Sequence, residues 1–191
     1  MILGILGSAG RESTTRLGLN ALHRRLRAAG AEFSLLDLAA DYREPHDLDQ
    51  YEQPSADSQT ARLRERVAEA SGVILATPVY HGSYSSLLKN ALDHLRGDAF
   101  AGRPVGVLAN GGGPRGAGIA CDQLRTVIRA LGGWSAPTHI STTEADYLGG
   151  EPTAAVGGRM DALVDELLLF ADRADRWQRP THPTPAATAR P

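Results

Sequence analysis

A repeat constrains this chain more than any other feature of its sequence. A short, almost wholly apolar run is followed by a loop and then by an apolar stripe at helical spacing, and the cycle recurs four times between residues 1 and 133. Residues 1–6 (MILGIL) are closed by Gly7, after which Leu17, Ala21, Leu22, Leu26 and Ala29 form a stripe that Gly30 ends. Residues 31–38 (AEFSLLDL) open the second cycle, and its helix, residues 61–70, turns Leu63 and Val67 inward. Residues 72–77 (GVILAT) open the third, ended by Pro78, with Leu87, Leu88, Ala91, Leu92 and Leu95 as the stripe. Residues 104–109 (PVGVLA) open the fourth, with Ile119, Leu124, Ile128 and Leu131 before Gly132. A strand that is apolar on both faces must be covered on both faces. The pattern therefore predicts an α/β fold, one doubly wound parallel sheet with helices on either side. Ligands of such sheets bind in the crevice beyond the carboxyl ends of the strands, which directs attention to the loops after strands one, three and four.

The remaining segments are less regular. Residues 41–57 carry too little apolar content for an element and read as a surface loop. Residues 135–140 form a weaker fifth strand, in which Pro137 predicts an edge or a bulge. Residues 156–177 form a closing helix buried through Met160, Leu163, Val164, Leu167, Leu168 and Ala171. Residues 179–191 hold four prolines and no period, so they read as a disordered tail behind a domain of residues 1–178. A net charge of −2 leaves no electrostatic footprint for nucleic acid or an anionic membrane. The single Cys121, with no signal peptide and no 18-residue apolar run, points to a reducing, cytoplasmic setting.

Loop one (GSAGRESTT, from Gly7) places the hydroxyls of Ser8, Ser13, Thr14 and Thr15 and the guanidinium of Arg11 at a helix start. Unpaired amides and the positive end of the helix dipole suit a phosphate there. Ser13 also fits a plain helix cap, and Gly7 and Gly10 plain turn residues. Loop three (TPVYHGSYSSLL, from Thr77) offers Tyr80, His81 and Tyr84 as flat surfaces for a planar ring, with Gly82 free to adopt an unusual backbone angle; Ser83 or Ser85 could equally cap the next helix. Loop four (NGGGPRGAG, from Asn110) contains Gly111, Gly113 and Gly116 in a Gly-x-Gly-x-x-Gly order. That spacing follows the fourth strand, not the first, and no acidic residue stands where a dinucleotide fold needs one, so the preferred reading is a backbone loop closely approaching a flat ligand.

Other chemistry is missing. The loop lacks the phosphate-binding Gly-x4-Gly-Lys-Ser/Thr pattern, and the only lysine, Lys89, lies elsewhere. There is no Gly-x-Ser-x-Gly elbow, Cys121 sits within a helical pattern, and His81 and His94 lack metal-ligand spacing with a carboxylate. No catalytic dyad and no metal site are expected.

With the three loops in view, the chain resembles the NADPH-dependent FMN reductases of the flavodoxin-like superfold. The resemblance rests on Gly7, Ser8, Ser13 and Thr15, on Thr77, Pro78, Val79 and Tyr80 running into Leu87, Leu88, Lys89, Asn90, Ala91, Leu92 and Asp93, and on Gly111, Gly112 and Gly113. It implies a five-stranded parallel sheet of order 2-1-3-4-5. It further implies FMN held through its phosphate in loop one, by Ser8, Arg11, Ser13, Thr14 and Thr15. The ring would lie against Pro78, Val79, Tyr80, His81, Gly82 and Ser83 and against Asn110, Gly111 and Gly112, with its pyrimidine edge on backbone groups near the last two. Many members carry Glu-Tyr-Asn where this chain has Val79, Tyr80 and His81, which is closer to the Pro-Val-Tyr branch associated with flavin reductases that serve monooxygenases.

The implied activity is hydride transfer from a nicotinamide to FMN, in which the protein supplies stacking, orientation and electrostatics. NADPH is expected over NADH, with Arg115 as the candidate for the 2′-phosphate. The reduced flavin would pass to a monooxygenase partner or another acceptor. An FMN-retaining quinone or azo reductase and a non-enzymatic flavodoxin-like carrier are the alternatives, and net −2 is weakly acidic for a carrier. A homodimer or homotetramer is expected, built on apolar surface of the helices after strands three and four, at Leu87, Leu95 and residues 119–131.

Overall fold

The computed structural model describes residues 1–176. In chain order the elements are β1 (Ile2–Leu6), α1 (Thr14–Ala28), β2 (Phe33–Asp37), the short α2 (Leu38–Asp41) and α3 (Leu48–Glu52), α4 (Gln59–Glu69), β3 (Gly72–Tyr80), β4 (Ser83–Tyr84), α5 (Ser86–Asp93), β5 (Pro104–Asn110), α6 (Pro114–Ala130), β6 (Trp134–Ser135), β7 (Ile140–Thr142), the hairpin β8 (Tyr147–Leu148) and β9 (Glu151–Pro152), and α7 (Ala154–Arg176). Residue 177 and the segment 179–191 lie outside the described residues.

The strands order as β2-β1-β3-β5, with β6 and β7 sharing the outer edge of β5, and every pair along this path is parallel. That is the expected 2-1-3-4-5 order, because β4 only folds back on β3 as a hairpin. Alternation along β1 sends Leu3 and Ile5 to a core with Leu63, Leu92, Leu124 and Ile128, and Ile2 and Leu6 to a second core with Leu19, Leu22, Met160 and Leu163. Each such buried leucine or isoleucine contributes about 1.5–3 kcal/mol relative to exposure, so the two-sided apolar pattern dictates the two-sided fold. No helix among the described residues is long and apolar enough to cross a membrane.

Four expectations about the main strands and helices need correction. The fifth strand is split: Pro137 has no N–H to donate, its carbonyl accepts Arg125 Nη2 at 2.7 Å, and the Thr138 N–H turns to Glu166 Oε2 at 2.8 Å instead of to a strand. Pro78 does not end β3. Its β1 neighbour stops at Leu6 opposite Ala76, so beyond that point β3 is an edge on that side, where a proline is tolerated. In α1, Leu17 and Ala29 are exposed and Leu19 takes the buried position. The apolar surplus on the later helices is also smaller than their sequence suggests. Leu95, Leu124, Ile128 and Leu131 belong to the core, which leaves Ile119 at 45% exposure and part of Leu87.

Residues 41–57 depart furthest from expectation: the segment lies largely at the surface, but it follows directly on α2, carries the short α3 and is tied down by a polar clamp. Asp37 caps α2 through Ala39 N–H, and Asp47 caps α3 through Gln50 N–H, so the helices rest on caps and not on an apolar stripe. Behind them His94 is fully buried. The Asp47 N–H can only donate, so His94 Nε2 accepts it at 3.1 Å, and the neutral ring carries its proton on Nδ1. Nδ1 then donates to Thr60 Oγ1 at 3.1 Å, Thr60 donates to Glu44 Oε2 at 3.0 Å, and Tyr42 donates to Thr60 Oγ1 at 3.3 Å. Burial pushes the His94 pKa below its usual value. Burial alone would raise Glu44, but hydrogen bonds from the Gln59 N–H and from the Thr60 N–H and hydroxyl outweigh it and hold the carboxyl low.

Candidate functional site

Loop one leaves the buried end of β1 and is set by close packing. A Cβ on Gly7 would lie 2.7 Å from Leu88 Cβ and 3.3 Å from the Ala76 carbonyl, so only glycine lets the loop cross α5 this closely. Ser13 then caps α1, its Oγ accepting the Arg16 N–H at 3.2 Å. The first turn of α1 holds no acidic residue. It holds Arg16 instead, with Nη2 2.6 Å from Asp37 Oδ2 at the end of β2, while the buried Nε has no hydrogen-bond partner. Asp37 already balances the Arg16 charge, so what this helix start still lacks is an acceptor for the buried Nε donor. Beside them lies a hollow of about 530 Å³, lined by Arg11, Ser13, Thr14, Arg16, Asn20 and Tyr147 and also by the carboxylates Glu12 and Glu144. Ser8 and Thr15 are 1% exposed and lie beneath the loop surface. Of the residues expected at a phosphate, Arg11, Ser13 and Thr14 line this hollow; Arg16, which was not among them, lines it too, and the absence of acid from a first helical turn was the available signal.

Loop three is a hairpin. His81 (φ 51°) and Gly82 (φ 81°) both adopt left-handed backbone, the requirement of a type I′ turn, and join β3 to β4 in the register Tyr80↔Ser83. Tyr80 stands 50% exposed beside this tip. Ser83 Oγ donates to Gln123 Oε1 of α6 at 2.7 Å, so it latches the hairpin and does not cap α5. Ser85 is the cap, accepting the Leu88 N–H at 3.1 Å. Its hydroxyl also donates to the Gly7 carbonyl at 2.6 Å and its N–H to Thr77 Oγ1 at 2.9 Å, which fastens loop three to loop one.

Loop four packs against the same hairpin, since a Cβ on Gly111 would lie 3.2 Å from Val79. The Gly111 N–H donates to the Thr142 carbonyl at 2.9 Å, so that amide is committed to β7 and is not available to a ligand. Gly112 and Gly113 have open space around them. Gly113 starts α6 without a side-chain cap, Pro114 occupies its first turn, and Arg115 is exposed there. Cys121, deeper in α6, is fully buried, and that burial pushes its thiol up to about 12, so it remains an inert thiol. Burial also raises Tyr147, which keeps its hydroxyl as a donor, 3.5 Å from Thr142 Oγ1.

A β1–α1 loop rich in anion donors, beside a flat-faced hairpin and a glycine loop at the carboxyl edge of a 2-1-3-4-5 sheet, defines a flavodoxin-like mononucleotide-binding protein. The chain belongs to the NADPH-dependent FMN reductase family, whose profile matches residues 1–146. FMN-dependent NADPH-azoreductases of Staphylococcus aureus are 36% identical over 150 residues, spanning 75% of this chain and 77% of theirs. The apo structure of an NADH:FMN oxidoreductase superposes with a TM-score of 0.72 at 26% identity and 88% coverage of both chains. FerB, a NAD(P)H:(acceptor) oxidoreductase from Paracoccus denitrificans, superposes equally well (TM-score 0.72, 23% identity, 88% of this chain and 97% of that one) and shows the shared fold. This chain is an NAD(P)H-dependent flavin oxidoreductase that works with FMN.

Proposed function

We propose that FMN is held through its phosphate at the start of α1, and that this enzyme keeps FMN bound while it reduces a small planar acceptor of the azo or quinone class. The observation that carries the reading is the helix start: Ser13, Thr14, Arg11 and Arg16 around one hollow that Glu12 and Glu144 also line, no acid within the first turn of α1, and a buried Arg16 Nε without an acceptor. These donors fit a phosphomonoester. The S. aureus azoreductases supply the precedent for the acceptor class. Bound FMN would supply the two-electron hydride chemistry between a nicotinamide and the acceptor. The protein's own residues do the rest. Loop one anchors the phosphate, Tyr80 and the His81–Gly82 turn present a flat wall for the ring, and the Gly112 and Gly113 amides face its carbonyl edge, where they stabilise incoming negative charge. Arg115, on the exposed first turn of α6, takes the 2′-phosphate of NADPH.

Release of reduced flavin to a monooxygenase partner is the second reading, favoured by the Pro78-Val79-Tyr80 sequence. A homodimer set in the cytoplasm completes the proposal. Its dimer contact is placed at Ile119 and Leu87, and its setting rests on the single buried thiol.

The test is a titration of the purified protein with FMN and with riboflavin, followed by steady-state kinetics. FMN should bind roughly 5- to 150-fold tighter than riboflavin, the worth of one to two charge-assisted contacts. Ping-pong turnover of an azo or quinone acceptor on a protein that stays yellow through gel filtration supports retention, whereas sequential turnover of free FMN favours the monooxygenase reading. Riboflavin binding as tightly as FMN would remove the phosphate assignment.

A further inference from the structure

The Thr142 hydroxyl makes no hydrogen bond to loop one or to the β3–β4 hairpin, and it lies on β7, a strand that the loops singled out in the sequence leave outside the site. It is 1% exposed. Its neighbours give it a defined polarity. Thr142 Oγ1 lies 3.4 Å from the Ala109 carbonyl, which can only accept, so the single hydroxyl proton goes there. The oxygen must then accept from its other two partners, Asn110 Nδ2 at 3.2 Å and the Tyr147 hydroxyl at 3.5 Å. This arrangement orients the Asn110 amide with its NH2 toward Thr142 and its Oδ1 on the opposite side. The main chain of the same residue completes the hold, because the Thr142 carbonyl accepts the Gly111 N–H at 2.9 Å and the pair Asn110↔Thr142 is in parallel register. One buried residue thus sets both the side chain of Asn110 and the backbone that enters the glycine loop.

We propose that Thr142 is a positioning residue for the flavin: it locks the Asn110 amide so that loop four presents an acceptor, Oδ1, to the flavin's pyrimidine edge, whose ring N–H is a donor. The inference rests on the reading that Asn110, Gly111 and Gly112 face the flavin. Tyr147 supports the hydroxyl from behind, and its ring is in turn wedged against α1, where a Cβ on Gly18 would lie 2.5 Å from the Tyr147 hydroxyl. Loop four is therefore braced through Thr142 and Tyr147 against the helix that carries the phosphate donors, and the two halves of the site share one support.

Hydroxyl and methyl can be separated by substitution. Thr142→Val keeps the shape and removes the hydroxyl, whereas Thr142→Ser keeps the hydroxyl and removes the methyl. For a positioning role, Thr142→Val weakens FMN binding about 10-fold, shifts the visible band of bound FMN, and speeds amide hydrogen exchange at residues 110–113 in the flavin-free protein, while Thr142→Ser restores all three to near wild type. Tyr147→Phe, which removes only the supporting donor, has the same effects in weaker form. A purely structural role gives the reverse order, with valine like wild type in FMN affinity and spectrum and serine the more damaged variant; that result overturns the proposal. Asn110→Ala separates this inference from the reading beneath it. If Asn110→Ala weakens FMN binding and Thr142→Val does not, the role of Thr142 alone is lost; if neither changes it, the placement of loop four against the flavin falls as well.

Discussion

The segment from Tyr42 to Thr60 and the loops at the carboxyl edge of the sheet are comparably polar in sequence, and they reach opposite states of hydrogen bonding. In the first, each polar group at the centre has a protein partner: His94 is bonded at both ring nitrogens, Thr60 donates once and accepts twice, and Glu44 accepts three bonds. In the second, Arg16 Nε is buried without a partner, α6 starts with no side-chain cap, and Gly112 and Gly113 face open space. A buried polar network that closes on itself stabilises one arrangement of the chain, whereas donors left open in a defined geometry await a ligand that supplies the acceptors. Polarity marks both regions, and only the pairing of each donor tells a clamp from a site.

That division can be attacked from either side. The largest effect is expected at the clamp. His94→Ala opens a void, leaves the Asp47 N–H unpaired and takes from Thr60 one of the two bonds its hydroxyl accepts, which should cost about 3 kcal/mol of stability in urea unfolding while FMN affinity changes less than about 2-fold. A loss of FMN binding as large as the loss of stability would break the distinction. Arg115→Ala is the converse case, raising the KM for NADPH roughly 10- to 150-fold while leaving NADH and the melting temperature alone; equal effects on both donors would return Arg115 to the loop's own structure.

Ser13→Ala falls between the two, because Ser13 both caps α1 and lines the hollow. It should lower stability by about 1 kcal/mol and weaken FMN about 5-fold, with riboflavin unaffected. The smallest effect is a pH slope. Burial holds the His94 pKa below 6.5, so the unfolded chain takes up a proton that the native clamp refuses as pH falls through that value. Stability is therefore at its plateau above about pH 7 and declines on acidification below about 6.5. His23 and His139 are lowered as well, so the informative quantity is the difference between wild type and His94→Gln, whose slope should be shallower. Parallel slopes for the two proteins would assign the acid sensitivity elsewhere.

Much of this protein was determined by local sequence. The short apolar runs had to be strands covered on both faces, since nothing else buries every residue of such a run, and that alone placed the crevice and directed attention to the loops after β1, β3 and β5. Hydroxyl clustering picked out Ser8, Ser13, Thr14 and Thr15, of which Ser13 and Thr14 line the hollow and the other two are buried, and glycine at position 82 announced the left-handed turn that His81 shares. Tertiary structure decided the rest. Arg16 joined the lining of the hollow beside α1, its guanidinium held by Asp37 of β2, a contact no local pattern announces. Gly111 ceased to be a free donor when β7 paired with β5. Residues 41–57 acquired α3 because the Asp47 cap and the distant His94 satisfied their backbone. Apolar periodicity is a local property, legible wherever one face of an element is buried. The fate of a hydrogen-bond donor depends on an acceptor that is tens of residues away in sequence and becomes its neighbour only when the sheet closes.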